Sequence, residues 1–275
     1  MGFFTLLEVA TMPVLQVLII SILGAFMATN YCNLLTADAR RQLNKIVFVV
    51  FTPSLMFASL AKTVTFQDII SWWFMPINIG LVFLIGGSLG WVVVKILKPE
   101  PHLEGLLIAT CSAGNLGNLM LIVVPAICNE KGSPFGDQNL CNSTGLSYAS
   151  FSMANFRRKK LHGSLPLMST ETGLRSARLK PMVIMGVIVV RYVILPVIGM
   201  GVVKAAGDFG LLPADPLFRY VLMLQFTLPP AMNIGTMTQL FDVGQEECSI
   251  LFLWTYLVAS LAITLWSTVY MYTLS

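Results

Sequence analysis

Charged residues are scarce in this chain. Asp, Glu, Lys and Arg make up 11% of its 275 residues, hydrophobic residues make up 56%, and the mean hydropathy is +0.79. A soluble domain carries about 25% charged residues, so this composition excludes a soluble globular protein. In hydrocarbon every backbone amide needs an internal partner, which leaves helices or closed barrels. The apolar runs are roughly 20 residues long rather than alternating segments of about 10, so the sequence predicts an all-α polytopic membrane protein.

Groups that enzyme chemistry requires are also few. The five cysteines form no CxxC pair and no metal spacing, so neither a metal nor a cofactor is predicted. No paired carboxylates or phosphate loop occur at membrane depth, which excludes an enzyme. Gly86–Gly90 matches GxSxG, but it lies inside an apolar helix and its GxxxG spacing favours helix packing. The N-terminus lacks a basic region and a cleavage site, so the first apolar run is predicted to be a retained span.

Hydrophobic segments divide the chain into two membrane repeats. We predict an N-terminal repeat over residues 1–154, a basic linker over 155–180, and the remnant of a C-terminal repeat over 181–275. The N-terminal repeat ends in a weak segment at 144–154, which is too short to cross a membrane by itself. The predicted spans are 12–28, 43–60, 72–98, 103–127, 181–203, 217–240 and 250–274.

The positions of basic residues predict an orientation. They follow the first and third spans and fill the linker, where Arg157–Lys160 is the densest run, so we place these segments in the cytoplasm and the N-terminus in the lumen or outside. The basic run favours anionic lipid over nucleic acid as a partner. The loop after the fourth span then lies on the lumenal side. There Asn142 begins a glycosylation sequon, and Cys128 and Cys141 are a candidate disulfide; a chance sequon and two buried thiols are the alternatives.

Two predicted helices, one in each half, are interrupted near their middle. Glycine and proline break the backbone hydrogen-bond ladder, which a membrane tolerates only where protein or a wet cavity satisfies the freed groups. The predicted break residues are Gly114, Gly117 and Pro125 in one helix and Pro229 and Pro230 in the other. The predicted orientation makes these helices run in opposite directions, which is typical of an inverted-repeat transporter.

The ends of the half-helices would expose N–H donors and a partial positive charge, which suits a carboxylate. Asn115, Asn118 and Asn233 could add amide donors, so we predict them to bind substrate. The alternative is that these glycines, prolines and asparagines only permit close packing. Arg191 lies near the middle of its span. It either serves function there, or it snorkels or pairs with a backbone carbonyl or carboxylate.

Several motifs resemble the PIN-LIKES proteins of plants, which belong to the auxin efflux carrier family. The motifs are Ala113–Leu119, Val124–Cys128, Gly145–Phe151, Val190–Tyr192 and Leu228–Asn233. The resemblance implies an endoplasmic-reticulum carrier of auxin (indole-3-acetic acid). It also implies ten helices in two inverted sets of five, with a scaffold made by the first two helices of each set. Broken helices in the mobile transport part would cross at the substrate site, at the asparagines and prolines named above.

The chain is shorter than this pattern. It has six to seven of the ten helices, an unfamiliar stretch at about 155–172, and no counterpart of the sixth and seventh helices. Two hypotheses follow. In the first, the chain carries auxin-like organic anions by alternating access. In the second, it is a transport-incompetent partner that associates with full-length carriers; a homo-oligomer is also compatible with the sequence.

Overall fold

A computed structural model describes residues 19–20, 22–24, 26–27, 29, 31–32, 34–51, 53–54, 57–58, 66–129, 133–162, 180–241 and 244–274. Its helices are α1 (Ala37–Ile46), α2 (Phe66–Ser71), α3 (Phe74–Leu97), α4 (Pro101–Ser112), α5 (Asn118–Asn129), α6 (Gln138–His162), α7 (Pro181–Asp208), α8 (Pro216–Leu224), α9 (Asn233–Phe241) and α10 (Gln245–Leu274). A π-helical segment, Val47–Phe51, continues α1, and another, Val190–Ile194, lies within α7. The first predicted span, 12–28, falls mostly outside the described residues.

The long helices α3, α7 and α10 are each long and apolar enough to cross a membrane. Their outward surfaces are apolar. On α7 the exposed side chains recur every three or four residues and form one stripe, which comprises Met182, Met185, Val189, Val193 and Val197. Such a stripe suits lipid, since water would not favour it. The chain is therefore a multi-pass membrane protein, as its composition predicts.

Both halves repeat the same order of elements. A long apolar helix is followed by two half-helices and a second long helix: α3, α4, α5 and α6 in the first half, and α7, α8, α9 and α10 in the second. Each first half-helix begins with a proline, Pro101 or Pro216, where the missing N–H costs no helical bond. Asp215 also caps α8 by accepting the Leu217 N–H at 2.9 Å.

In α3 and in α7, one glycine lies in close contact with the end of the half-helix that follows. A Cβ on Gly86 would lie 2.5 Å from the Cys111 carbonyl oxygen at the end of α4. A Cβ on Gly199 would lie 2.4 Å from the Phe226 ring, just beyond the end of α8. The GxxxG of α3 thus serves packing, as predicted, because a side chain at Gly86 would force α3 and α4 apart.

The predicted fourth and sixth spans, 103–127 and 217–240, are each two half-helices, the interrupted form that the sequence predicts. The structure corrects the predicted boundaries at the end of the first half. The weak segment at 144–154 is the middle of α6, which runs from Gln138 to His162. Asp137 starts this helix early, because its carboxylate accepts the N–H groups of Asn139 and Leu140, both at 3.0 Å. The polar loop after the fourth predicted span therefore ends before Gln138, and the predicted linker, 155–180, begins only after His162.

Candidate functional site

The two interrupted helices meet at their breaks. Gly114 and Pro230 form an isolated antiparallel bridge between the segments that follow α4 and α8. The Asn115 N–H donates to the Pro229 carbonyl at 2.8 Å, and the Ala231 N–H donates to the Ala113 carbonyl at 2.9 Å. Two freed backbone groups of each break thus bond to two of the other. We call residues 113–117 and 228–232 together the crossover.

Arg191 braces the crossover from α7. Its side chain is 0% exposed. Nη1 donates to the Cys111 carbonyl at 2.9 Å, and Nη2 donates to the carbonyls of Leu228 and Pro229, the latter at 3.1 Å. One guanidinium therefore joins both interrupted helices. The structure therefore shows the Arg191 guanidinium paired with backbone carbonyls, one of the alternatives that the sequence left open.

The π-helical segment places Arg191 at this position. Within it the Leu195 N–H bonds to the Val190 carbonyl, five residues back, which inserts one extra residue into the turn. Pro196 has no N–H for the Tyr192 carbonyl, and the Trp266 indole N–H takes that place at 2.8 Å. Pro196 of α7 and Trp266 of α10 thus stabilise the irregular turn that carries Arg191.

Asn115 lies inside the crossover and is 7% exposed. Its Nδ2 donates to the Tyr256 hydroxyl at 3.1 Å, and that hydroxyl donates to the Pro230 carbonyl at 2.8 Å. Asn233 is half-buried and is the first residue of α9. Asn118 is the first residue of α5, and its side chain lies outside the described residues. The three predicted asparagines therefore lie on the crossover or on the first residue of the half-helices that leave it.

The predicted break residues divide into two groups. Gly114, Pro229 and Pro230 lie in the crossover, and Gly117 lies at its edge, where a Cβ would approach Met153 at 3.3 Å. Pro125 lies inside α5, which continues to Asn129. The interruption is therefore at 113–117 and not at Pro125, because a proline in a helix removes one hydrogen bond without necessarily ending the helix.

A buried polar network that the sequence analysis overlooked holds the end of α8. The Asn78 amide on α3 donates to Gln225 Oε1 at 2.8 Å and to the Leu222 carbonyl at 3.1 Å. The Gln225 amide donates to the Ser152 hydroxyl of α6 at 3.0 Å. Asn78, Gln225 and Tyr256 all interrupt apolar spans, and intramembrane polar residues are the sequence signal that could have identified them.

Cys128 and Cys141 form a disulfide that joins the end of α5 to the start of α6. Asn142 follows it inside the α6 helix and is half-buried rather than in the loop that its sequon predicts. Within the described part of the chain no cluster of His, Cys, Asp or Glu could hold a metal ion.

Known proteins place the chain in a family. The family model described as membrane transport protein matches residues 9–156 and 164–267. The sequence is 48% identical to Protein PIN-LIKES 7 of Arabidopsis thaliana, with all of both chains covered. The chain is a PIN-LIKES member of the membrane transport protein family. The resemblance drawn from its motifs is confirmed, and members of this family are transporters rather than enzymes.

Other PIN-LIKES proteins are also similar to this chain. The sequence is 45% identical to Protein PIN-LIKES 5 across all of both chains, and 35% identical to Protein PIN-LIKES 1 across 96% of this chain and 79% of that protein, both from Arabidopsis thaliana. The alignment with Protein PIN-LIKES 7 extends over 395 positions, whereas this chain has 275 residues, so about 120 of them have no counterpart here. No solved structure matches the chain.

Proposed function

We propose that this PIN-LIKES chain carries small organic anions across a membrane, with auxin (indole-3-acetate) as the favoured substrate. The observation that supports this proposal is the crossover, from which two half-helices, α5 and α9, begin on opposite sides of the antiparallel bridge. The N-terminus of a helix carries a partial charge of about +0.5, and its free N–H groups suit a carboxylate. Auxin is the substrate that the family resemblance implies.

The asparagines would supply the neutral part of the site. Asn115 uses one amide hydrogen on Tyr256, which leaves the other for a ligand. Asn233 is half-buried and begins α9, so its side chain is next to the first N–H groups of that helix. Amide donors bind a carboxylate without the large desolvation cost that a second buried cation would bring.

Transport would proceed by alternating access. We propose that α3–α6 and α7–α10, which pack around the crossover, move together as the transport part against a scaffold formed by the preceding segments. Gly86 and Gly199 support this assignment, because close contacts at both positions hold each first half-helix to the long helix before it. We further propose an endoplasmic-reticulum membrane, with the N-terminus in the lumen and the basic linker in the cytoplasm.

The decisive experiment measures uptake of labelled indole-3-acetate into vesicles that contain the purified chain. We expect saturable uptake by the wild type, and a loss of at least about tenfold in Asn115→Ala and in Asn233→Ala, since one hydrogen bond to a charged group contributes about 1.5–3 kcal/mol. Asn139→Ala is the matched control, because this exposed asparagine is at the start of α6, away from the crossover. Equal flux in all four proteins would remove these asparagines from the proposed site.

A second function is favoured by the shortened alignment. With about 120 aligned positions of Protein PIN-LIKES 7 missing, the chain could associate with full-length carriers without transporting by itself. The family match is also interrupted between residues 156 and 164, within the stretch where the sequence analysis places the missing helices. Co-purification with a full-length relative, combined with no flux by the chain alone, would support this function. Saturable flux by the chain alone would exclude it.

A further inference from the structure

Four helix ends with opposed polarity converge at the crossover. The C-terminal ends of α4 and α8 present partly negative carbonyls, and the N-terminal ends of α5 and α9 present partly positive N–H groups. Each end carries about half an elementary charge. Left alone, the negative ends would offset the positive ends, and the crossover would have little preference for an anion.

Arg191 changes this balance because it donates only to carbonyls at the crossover. Its three acceptors are the Cys111 carbonyl in the last turn of α4 and the carbonyls of Leu228 and Pro229, in the second break beyond α8. The guanidinium therefore offsets the partial negative charge of the α4 end and of the second break, which shifts the balance towards the N-terminal ends of α5 and α9.

Within the part of the chain that the structure describes, no carboxylate forms an ion pair with Arg191. Among the described residues, His102 pairs with Glu100 at the start of α4. The Nε atom of Arg191 is buried and has no hydrogen-bond partner within the described chain. Arginine stays protonated in proteins, and a fully buried cation without a counter-ion is unfavourable, so an anion near Arg191 would stabilise this positive charge.

We propose that Arg191 determines the charge specificity of the crossover, so that the site takes a monoanion in preference to a neutral molecule of the same shape. This inference rests on the proposed function, since it concerns the same site. Arg191 acts as a positioning and specificity residue: it holds both breaks in place, and its charge acts on the substrate through them without touching it.

The test compares uptake of indole-3-acetate with uptake of indole-3-acetamide, which has the same ring but a neutral amide. Arg191→Lys keeps the charge and changes the hydrogen-bond geometry, whereas Arg191→Gln keeps two donors and removes the charge. We expect the ratio of acetate to acetamide uptake to stay high in the wild type and Arg191→Lys. It should fall at least tenfold in Arg191→Gln, because a unit charge within about 10 Å at an effective dielectric constant near 20 contributes more than the roughly 1.4 kcal/mol that a tenfold change requires. Lys204→Gln is the control, because it removes an exposed charge from the same helix.

A second pair of variants keeps Arg191 intact. The Cys111 carbonyl accepts from the guanidinium, and the Cys111 side chain is buried against Gly90 of α3. Cys111→Asp therefore adds a carboxylate to the same buried region, and Cys111→Asn is its uncharged match. We expect Cys111→Asp to lose the preference for the acid and Cys111→Asn to keep it. This pair decides the question if Arg191→Gln does not fold.

The outcomes separate the two proposals. Uptake with an unchanged ratio in both Arg191→Gln and Cys111→Asp would show that Arg191 only braces the fold, and would overturn this inference while leaving the carrier intact. If the wild type transports neither compound, the proposed function fails, and the same variants are compared by the heat stability that each compound confers on the purified protein. Stabilisation by the acid that is lost in the charge-removing variants would still support the inference, and no stabilisation of the wild type would overturn both.

Discussion

Three consecutive carbonyls of the second break, those of Leu228, Pro229 and Pro230, each accept a hydrogen bond from another segment. Arg191 donates to the first two, the Asn115 N–H also donates to the second, and the Tyr256 hydroxyl donates to the third. The two prolines cannot donate, so this stretch of backbone is rich in acceptors. Residues with spare donors therefore surround it, as the absence of water from a membrane interior requires.

Gly114 is the crossover residue at which an added Cβ would press on the Arg191 guanidinium. A Cβ there would lie 3.0 Å from Arg191 Nη2 and 3.5 Å from the Leu228 side chain. We predict that Gly114→Ala displaces the guanidinium, weakens its carbonyl bonds, and lowers the free energy of unfolding by about 1–3 kcal/mol. Uptake should fall several-fold. Thermal unfolding and vesicle uptake are the measurements.

Gly201→Ala provides the comparison, because a Cβ at this position of α7 would meet nothing within 4 Å. It should be neutral or slightly stabilising, since alanine favours a helix by about 1 kcal/mol over glycine. Equal effects of the two substitutions would show that the space around Gly114 is not the constraint described here.

At the scale of helices, the sequence predicts the interruptions but not their geometry. Gly114 and the Pro229–Pro230 pair identify both breaks, because no continuous helix accommodates them easily. The π-helical turn that aims Arg191 depends on Pro196 and on Trp266 of a distant helix, and no local pattern reveals that partner. Pro125 was misleading since α5 accommodates it. The early start of α6 was missed because its first turns are polar, although Asp137 gave the capping signal.

The packing of α3 against α4 gives a prediction with neighbouring glycines. A Cβ on Gly86 would lie 2.5 Å from the Cys111 carbonyl oxygen and 3.0 Å from the Ser112 Cα, both backbone atoms, whereas a Cβ on Gly87 would lie 3.7 Å from the Ser112 hydroxyl. Gly86→Ala should therefore destabilise the protein by about 1–3 kcal/mol, as overpacking typically does. Gly87→Ala should leave stability unchanged or slightly higher. The unfolding temperature of each purified variant measures the difference, and comparable temperatures would contradict the described contact.

For the whole molecule, the contacts define two ends. Tyr148 donates to Asp215 at one end, where a Cβ on Gly145 would also lie 3.6 Å from Cys128 Sγ and 3.7 Å from Leu217. At the other end a Cβ on Gly244 would lie 3.6 Å from Leu103, near the start of α4. The disulfide belongs to the first end, and disulfides persist on the oxidising side of a membrane. In the proposed orientation the start of α8 faces the lumen, on the same side as the disulfide.

This sidedness can be measured with two introduced cysteines in a Cys32→Ser background. Glu100→Cys and Ala214→Cys replace exposed residues at the starts of α4 and α8, which lie at opposite ends. In sealed vesicles with the cytoplasmic face outward, a membrane-impermeant maleimide should label Glu100→Cys at once and Ala214→Cys only after detergent opens the vesicles. The remaining thiols, Cys111 and Cys248, are buried and should stay unlabelled. Labelling in the reverse order would invert the orientation, whereas labelling of both before detergent would mean that the half-helices do not pass through the membrane between these two positions.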